Sequence, residues 1–137
     1  MKLMAVKTRR EPMTILVVDD APMHQKLIER ILGNHVDARM IFASNGSEAV
    51  KVFMSEPVSL ILMDMEMPVM DGYTAARYIR NLPNGKDVPI VAITANVGAT
   101  ERTRCLEAGC TAYIQKPLQK ENLIGTTEEF LKKEDTN

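Results

Sequence analysis

Five short apolar runs, each followed by a stretch whose apolar residues recur at helical spacing, constrain this chain more than any other feature. The runs are Ile15-Leu16-Val17-Val18, Met40-Ile41-Phe42-Ala43, Leu60-Ile61-Leu62-Met63, Ile90-Val91-Ala92-Ile93 and Ala112-Tyr113-Ile114. Unbroken by polar residues, they suit strands covered on both faces. Strict alternation of strand and helix predicts an α/β fold. The arrangement is (βα)5: a doubly wound, five-stranded parallel sheet with helices on both faces.

The intervening segments have helix ends that can be read from their residue types. Pro22 suits a first turn, and Met23, Leu27, Ile28, Ile31 and Leu32 share one face of the helix it starts. Gly33 and Asn34 suit its end. Ala49, Val50 and Phe53 mark a second helix stopped before Pro57. Ala75, Ala76, Ile79 and Leu82 mark a third, N-capped by Asp71 and closed by Pro83. A fourth runs from Ala99 to Ala108 and ends at Gly109, and Leu123, Ile124, Thr127, Phe130 and Leu131 define the last.

A chain of 137 residues favours one domain that buries a core without staples. Residues 1–13, with Lys2, Lys7, Arg9 and Arg10, read as a flexible leader, residues 14–132 as the folded domain and 133–137 as a polar tail. The leader lacks the apolar stretch of a secretory signal, and no run approaches a membrane span. A net charge of −1 points to neither nucleic acid nor an anionic membrane. Cys105 and Cys110 form neither a disulfide framework nor a zinc motif, so reduced thiols in a cytoplasmic protein are expected.

In an open parallel sheet, functional groups gather at the carboxyl ends of the strands. Those ends carry Asp19-Asp20, Asp64, Thr94 and Lys116-Pro117. Three carboxylates about 4 Å apart would repel by roughly 4 kcal/mol per pair at an effective dielectric near 20, so the set calls for a cation. An all-oxygen environment suits Mg²⁺. Lys116 adds a positive charge and Thr94 a hydroxyl for phosphate oxygens. A carboxylate in such a crevice can act as a nucleophile toward phosphorus, forming an aspartyl phosphate.

This set resembles the response-regulator receiver family of two-component signalling. The stretch Met63-Asp64-Met65-Glu66-Met67-Pro68-Val69-Met70-Asp71-Gly72 is similar to the family's loop after the phosphorylated aspartate. Thr94-Ala95-Asn96 and Gly109-Cys110-Thr111-Ala112-Tyr113-Ile114-Gln115-Lys116-Pro117 resemble two further segments, and the likeness spans Thr14 to Leu131. It implies a flavodoxin-like receiver fold and a signalling phosphoacceptor rather than a turnover enzyme. Asp64 would take its phosphoryl group from a phosphohistidine on a sensor histidine kinase or a histidine phosphotransfer protein. Asp20 and Asp64 would ligate Mg²⁺ directly, Asp19 through water and Glu66 through its backbone carbonyl. Lys116 would pair with Asp64 and then with the phosphoryl oxygens, Thr94 would close on the phosphate, and Tyr113 would be the aromatic switch. The Lys116–Pro117 bond is expected to be cis.

The resemblance also implies two surfaces. The first helix and its adjoining loops would receive the donor, and a downstream protein would bind the fourth helix, fifth strand and fifth helix. Direct contact with nucleic acid or membrane is not expected. The loop wording resembles receivers of hybrid sensor kinases, whereas Met1 and the short tail predict a stand-alone regulator. His24 stands where many receivers carry Asn, and Glu66 and Asn96 flank the phosphorylation site.

Two rival functions make different demands. A small phosphatase with an Asp nucleophile needs a second carboxylate two residues on, which here is Glu66, and a cap over its substrate. A flavin or nucleotide binder needs a loop rich in Gly, Ser or Thr after the first strand, but Asp19-Asp20-Ala21-Pro22 puts two negative charges there. Met63, Met65, Met67 and Met70 are read as packing rather than a soft metal box. His24 and His35 are read as surface residues without a ligand partner.

Overall fold

A computed structural model describes residues 13–135, with side chains described through residue 131. The strands are β1 (Thr14–Val18), β2 (Arg39–Ala43), β3 (Leu60–Asp64), β4 (Ile90–Thr94) and β5 (Ala112–Gln115). The helices are α1 (Pro22–Gly33), α2 (Gly46–Ser55), α3 (Gly72–Arg80), α4 (Ala99–Ala108) and α5 (Lys120–Asp135). All strand pairs are parallel, in the order β2-β1-β3-β4-β5.

The continuous runs are explained by the two faces of this sheet. Leu16, Val18, Ile61, Met63, Ile90 and Ala92 point to one side, where Ala49, Phe53, Ala76, Ile79, Cys105 and Ala108 of α2, α3 and α4 cover them. Ile15, Val17, Leu60, Leu62, Val91 and Ile93 point to the other, under Ile28 and Leu32 of α1 and Leu123, Phe130 and Leu131 of α5. Successive residues of a strand alternate between faces, so burial of both leaves no place for a polar residue.

Three sequence expectations need correction. The outer strands β2 and β5 are only partly covered, because an edge strand has a neighbour on one side alone. Leu27, 42% exposed, lies off the core stripe of α1, which narrows to Ile28 and Leu32 with Ile31 against them, while Met23, on the surface read as receiving the donor, is 81% exposed. Helix α3 ends at Arg80 with Asn81 as its cap, before Pro83. The ends of α1, α2 and α4 and the start of α3 agree with expectation: Asp71 Oδ1 accepts from Thr74 N at 2.8 Å, and Gly109 closes α4 at φ 101°.

At the domain limits, Met13 packs on the α1/α5 core and accepts from Arg39 N, and the backbone of residues 133–135 continues α5. The basic residues of the leader lie outside the described residues.

Arg80 organises a region that neither apolar pattern nor motif had marked. Its Nε donates to Gly109 O at 2.8 Å, and its Nη1 donates to Gly85 O at 2.8 Å and Val88 O at 2.6 Å. Nη2 reaches Thr111 Oγ1 at 3.3 Å, while that oxygen accepts from Ile90 N at 3.0 Å. One side chain thus ties the end of α3 to the entries of β4 and β5.

Thr127 of α5 is fully buried, and its Oγ1 has no hydrogen-bond partner. A buried hydroxyl without a partner costs free energy that a methyl of the same shape would not. Thr127→Val is expected to raise the unfolding free energy by about 1 kcal/mol, read from urea midpoints. An unchanged or lower midpoint would contradict this.

Candidate functional site

Each chemistry-bearing residue sits where a strand of the sheet stops. Asp64 ends β3, Thr94 ends β4 and Asp19 follows β1, and all three are buried. Asp20, next in the chain, is exposed. Carboxylate oxygens of Asp19, Asp20 and Asp64 all lie within 4.8 Å of one another. Three hard oxygen donors so close form a set that fits a small divalent cation such as Mg²⁺.

Local structure aims these groups. Asp19 Oδ1 accepts from Ala21 N at 2.9 Å, which turns the chain from β1 into α1. His24, in the first turn of α1, places Nδ1 3.3 Å from Asp19 Oδ2. It remains surface-exposed as expected, but it has a partner in the acidic cluster that the sequence reading did not assign. Gly72 lets the start of α3 lie against the end of β3: a Cβ there would stand 2.5 Å from Asp64 O.

Lys116, just past β5, donates from Nζ to Asp64 Oδ1 at 2.8 Å and to Glu66 Oε1 at 3.2 Å. Its backbone N–H donates to Thr94 O at 2.8 Å, which sets the loop that carries it. The Lys116–Pro117 peptide is cis, as the resemblance implied. Asp64 Oδ1 also accepts from Glu66 N at 3.0 Å.

The charges respond to these surroundings. Burial pushes the Asp64 carboxyl above its ordinary range; the Lys116 and Glu66 N–H hydrogen bonds oppose this, and nearby Asp19 adds to it. Burial also works to lower Lys116, but the Asp64 and Glu66 carboxylates outweigh it and hold the ammonium above its usual value. Glu66 is held below its usual range: burial raises it, yet hydrogen bonds from Thr94, Ala95 N–H and Lys116 win.

The Glu66 carboxylate takes a part that the sequence reading, which placed the residue beside the phosphorylation site and used its backbone carbonyl for the metal, did not give it. Its Oε2 accepts from Thr94 Oγ1 at 2.6 Å, and its Oε1 accepts from Ala95 N at 3.2 Å. The available signal was its offset of two from Asp64, which places both side chains on the same side of an extended chain. Tyr113, on β5 beside Ala92, is 40% exposed.

The bland readings of other residues hold. Met63, Met65 and Met67 are buried in the core, and Met70 packs against it. Cys105 and Cys110 are buried free thiols. Burial pushes Cys110 up to about 12 and moves Cys105 in the same direction. Alkylation of the native protein at about pH 8 is therefore expected to run much more slowly than in denaturant. Intact-mass time courses with iodoacetamide would check this, and equal rates in the two conditions would contradict it.

A parallel sheet ending in an acidic cluster, a lysine and a threonine defines a phosphoacceptor class of domain. The family model of the response regulator receiver domain matches residues 15–128, and the chain belongs to that family. It is 38% identical over 111 residues to the signal transduction histidine-protein kinase BarA of Escherichia coli, covering 81% of this chain but 12% of that one. The chain thus spans a small part of the curated relatives it matches.

Among solved structures, the receiver domain of sensor histidine kinase PA1611 from Pseudomonas aeruginosa was determined with a magnesium ion in its active-site cleft. It is 36% identical with a TM-score of 0.81, over 89% of this chain and 99% of that one. The receiver domain of Saccharomyces cerevisiae Ssk1, solved with the histidine phosphotransfer protein Ypd1, is 29% identical with a TM-score of 0.81, covering 87% of this chain and 88% of the other. The domain is a receiver of two-component phosphorelay signalling.

Proposed function

We propose that Asp64 accepts a phosphoryl group from a phosphohistidine on a sensor histidine kinase or histidine phosphotransfer protein. The observation that carries this is Asp64 Oδ1 held 2.8 Å from Lys116 Nζ at the edge of a three-carboxylate cluster. A carboxylate oxygen of Asp64 attacks phosphorus, a P–O bond forms, and the P–N bond to the donor imidazole breaks. The bonding pair leaves with the imidazole nitrogen. Lys116 orients Asp64 beforehand and neutralises charge on the phosphoryl oxygens as it builds. Thr94 donates its hydroxyl to the same group once it is in place.

Asp20 and Asp64 would hold Mg²⁺ directly, Asp19 through water and Glu66 by its backbone carbonyl. The ion would supply charge neutralisation at the transferring phosphoryl group. Tyr113 would follow Thr94 inward, shifting the α4, β5 and α5 surface read by a downstream protein. The unit covers residues 14–132, with Met13 and the α5 backbone through Asp135 continuous with it, and works in the cytoplasm without direct contact to nucleic acid or membrane. Among the described residues, no helix is long and apolar enough to cross a membrane.

This is a phosphoacceptor that promotes only its own phosphorylation and dephosphorylation. Turnover of a small phosphomonoester would instead favour the phosphatase reading. The likeness to histidine kinases that carry receivers supports a second reading of context, in which this unit acts beside a kinase in one longer protein.

The test is incubation with acetyl phosphate, with and without Mg²⁺, read by intact mass. One added phosphoryl group that depends on Mg²⁺ is the expected result. A folded protein that gains nothing from acetyl phosphate or from a phosphohistidine donor would overturn the assignment.

A further inference from the structure

We infer that the Glu66 carboxylate is a built-in stand-in for the phosphoryl group, holding Thr94 Oγ1, Ala95 N–H and Lys116 Nζ until phosphorylation displaces it toward Arg104 on α4. The inference rests on Asp64 being the phosphoacceptor. Three donors from two loops converge on this one carboxylate, at 2.6, 3.2 and 3.2 Å. One of them, Lys116 Nζ, bridges Glu66 Oε1 and Asp64 Oδ1, so a phosphoryl group built on Asp64 meets a donor set already in use.

Phosphorylation adds about −1.5 to −2 charge and strong acceptor oxygens at that point. The newcomer outcompetes a single carboxylate for the three donors and repels it as well. A second place for Glu66 adjoins the first. A cavity of about 420 Å³ is lined by Glu66, Ala95 and Asn96 together with Tyr73, Glu101 and Arg104. The Arg104 guanidinium stacks 3.9 Å from the centroid of the Tyr73 ring, which holds a cation at this cavity. Among the described residues, none of the ion pairs engages Arg104. Glu101, one turn earlier on α4, is the competing carboxylate.

The device makes phosphorylation an exchange of partners. Glu66 gives up the loop after β4 and pairs with α4, so the same event that draws Thr94 and Ala95 onto the phosphoryl group adds a tie to the helix beside them. Glu66 is a positioning residue in this scheme, acting through the donors it occupies.

Beryllofluoride with Mg²⁺ serves as the phosphoryl probe, titrated by ¹H–¹⁵N NMR. Glu66→Ala is expected to tighten its binding about tenfold, within the usual size of a coupling between sites. Arg104→Ala is expected to weaken binding about threefold when Glu66 is present and to leave it unchanged in Glu66→Ala. Without probe, the Ala95 amide resonance should move in Glu66→Ala, and the probe-bound forms of the two proteins should coincide there. In the unaltered chain, the Arg104 Nε–H resonance should shift on loading, which requires no variant.

Equal affinity with and without Glu66 would overturn the stand-in role. An Arg104→Ala effect of the same size in both backgrounds would reduce Arg104 to long-range charge and overturn the exchange. Failure of the unaltered, folded chain to take the probe at all would remove the Asp64 assignment, and this inference with it.

Discussion

Asp64→Ala is expected to abolish phosphoryl gain from acetyl phosphate, a loss of about 10³-fold or more in rate. No neighbouring carboxylate can substitute for it. Asp19 shares the cluster, but its oxygens are engaged, one accepting from Ala21 N and the other beside His24. Asp20 is exposed and no ion pair ties it to Lys116. Glu66 touches Lys116, but its oxygens are also taken by Thr94 and Ala95. Intact mass decides the outcome, and a phosphoryl group that persists in the variant would move the acceptor elsewhere.

The same substitution has a stability signature of a definite sign. Burial holds Asp64 above its ordinary pKa, so the folded state binds this proton more tightly than the unfolded chain does. In metal-free buffer its contribution to stability therefore falls as pH rises through the carboxylate range, and recovers as pH drops below it. Relative to the unaltered chain, Asp64→Ala should gain in urea midpoint between acid and neutral pH. A variant-minus-unaltered midpoint difference that falls over that interval would show that the Lys116 pair, rather than burial, dominates at this position.

Arg80→Met carries the largest expected loss of stability, about 3 kcal/mol or more. The methionine keeps most of the stem but leaves the carbonyls of Gly109, Gly85 and Val88 without the donors they now have. Each bond to a charged donor contributes roughly 1.5–3 kcal/mol, and partial access to water reduces the total. The stem also matters: the space where a Cβ on Gly109 would sit is 2.7 Å from Arg80 Cγ. Arg80→Lys should recover only part of the loss, since one ammonium cannot serve three carbonyls in two directions. Urea denaturation measures both variants. A loss below about 1 kcal/mol for Arg80→Met would mean that water replaces the guanidinium without penalty.

Much of the fold was legible because two-sided burial leaves a direct mark on a strand. A run such as Ile15-Leu16-Val17-Val18 has no polar member, since Ile15 and Val17 enter one core while Leu16 and Val18 enter the other. The site was legible for a related reason: parallel strands end at the same side of the sheet, so Asp19, Asp64 and Thr94 had to meet there whatever the helices did. The cap at Asp71 and the left-handed Gly109 were likewise local chemistry.

The misreadings lie where a residue's role depends on a contact that no local periodicity reveals. Helical spacing put Leu27 on the same face as Ile28 and Leu32, but the true width of the core stripe depends on how α1 sits over the sheet. Edge exposure of β2 and β5 depends on strand order, which no single run contains. His24 read as an unpartnered surface residue because its contact with Asp19 forms only after the chain turns back from β1 into α1.

The sequence by itself determined the alternating elements, the two-faced core and the set of residues gathered at the strand ends. Those follow from short-range periodicity and from the geometry shared by all parallel sheets. Only the tertiary structure decided that Arg80 clasps the carbonyls of Gly85, Val88 and Gly109 and that Glu66 occupies the donors around Asp64. Both depend on long side chains crossing between loops, and the reach and direction of such a side chain are set by packing that leaves no local pattern in the residues themselves.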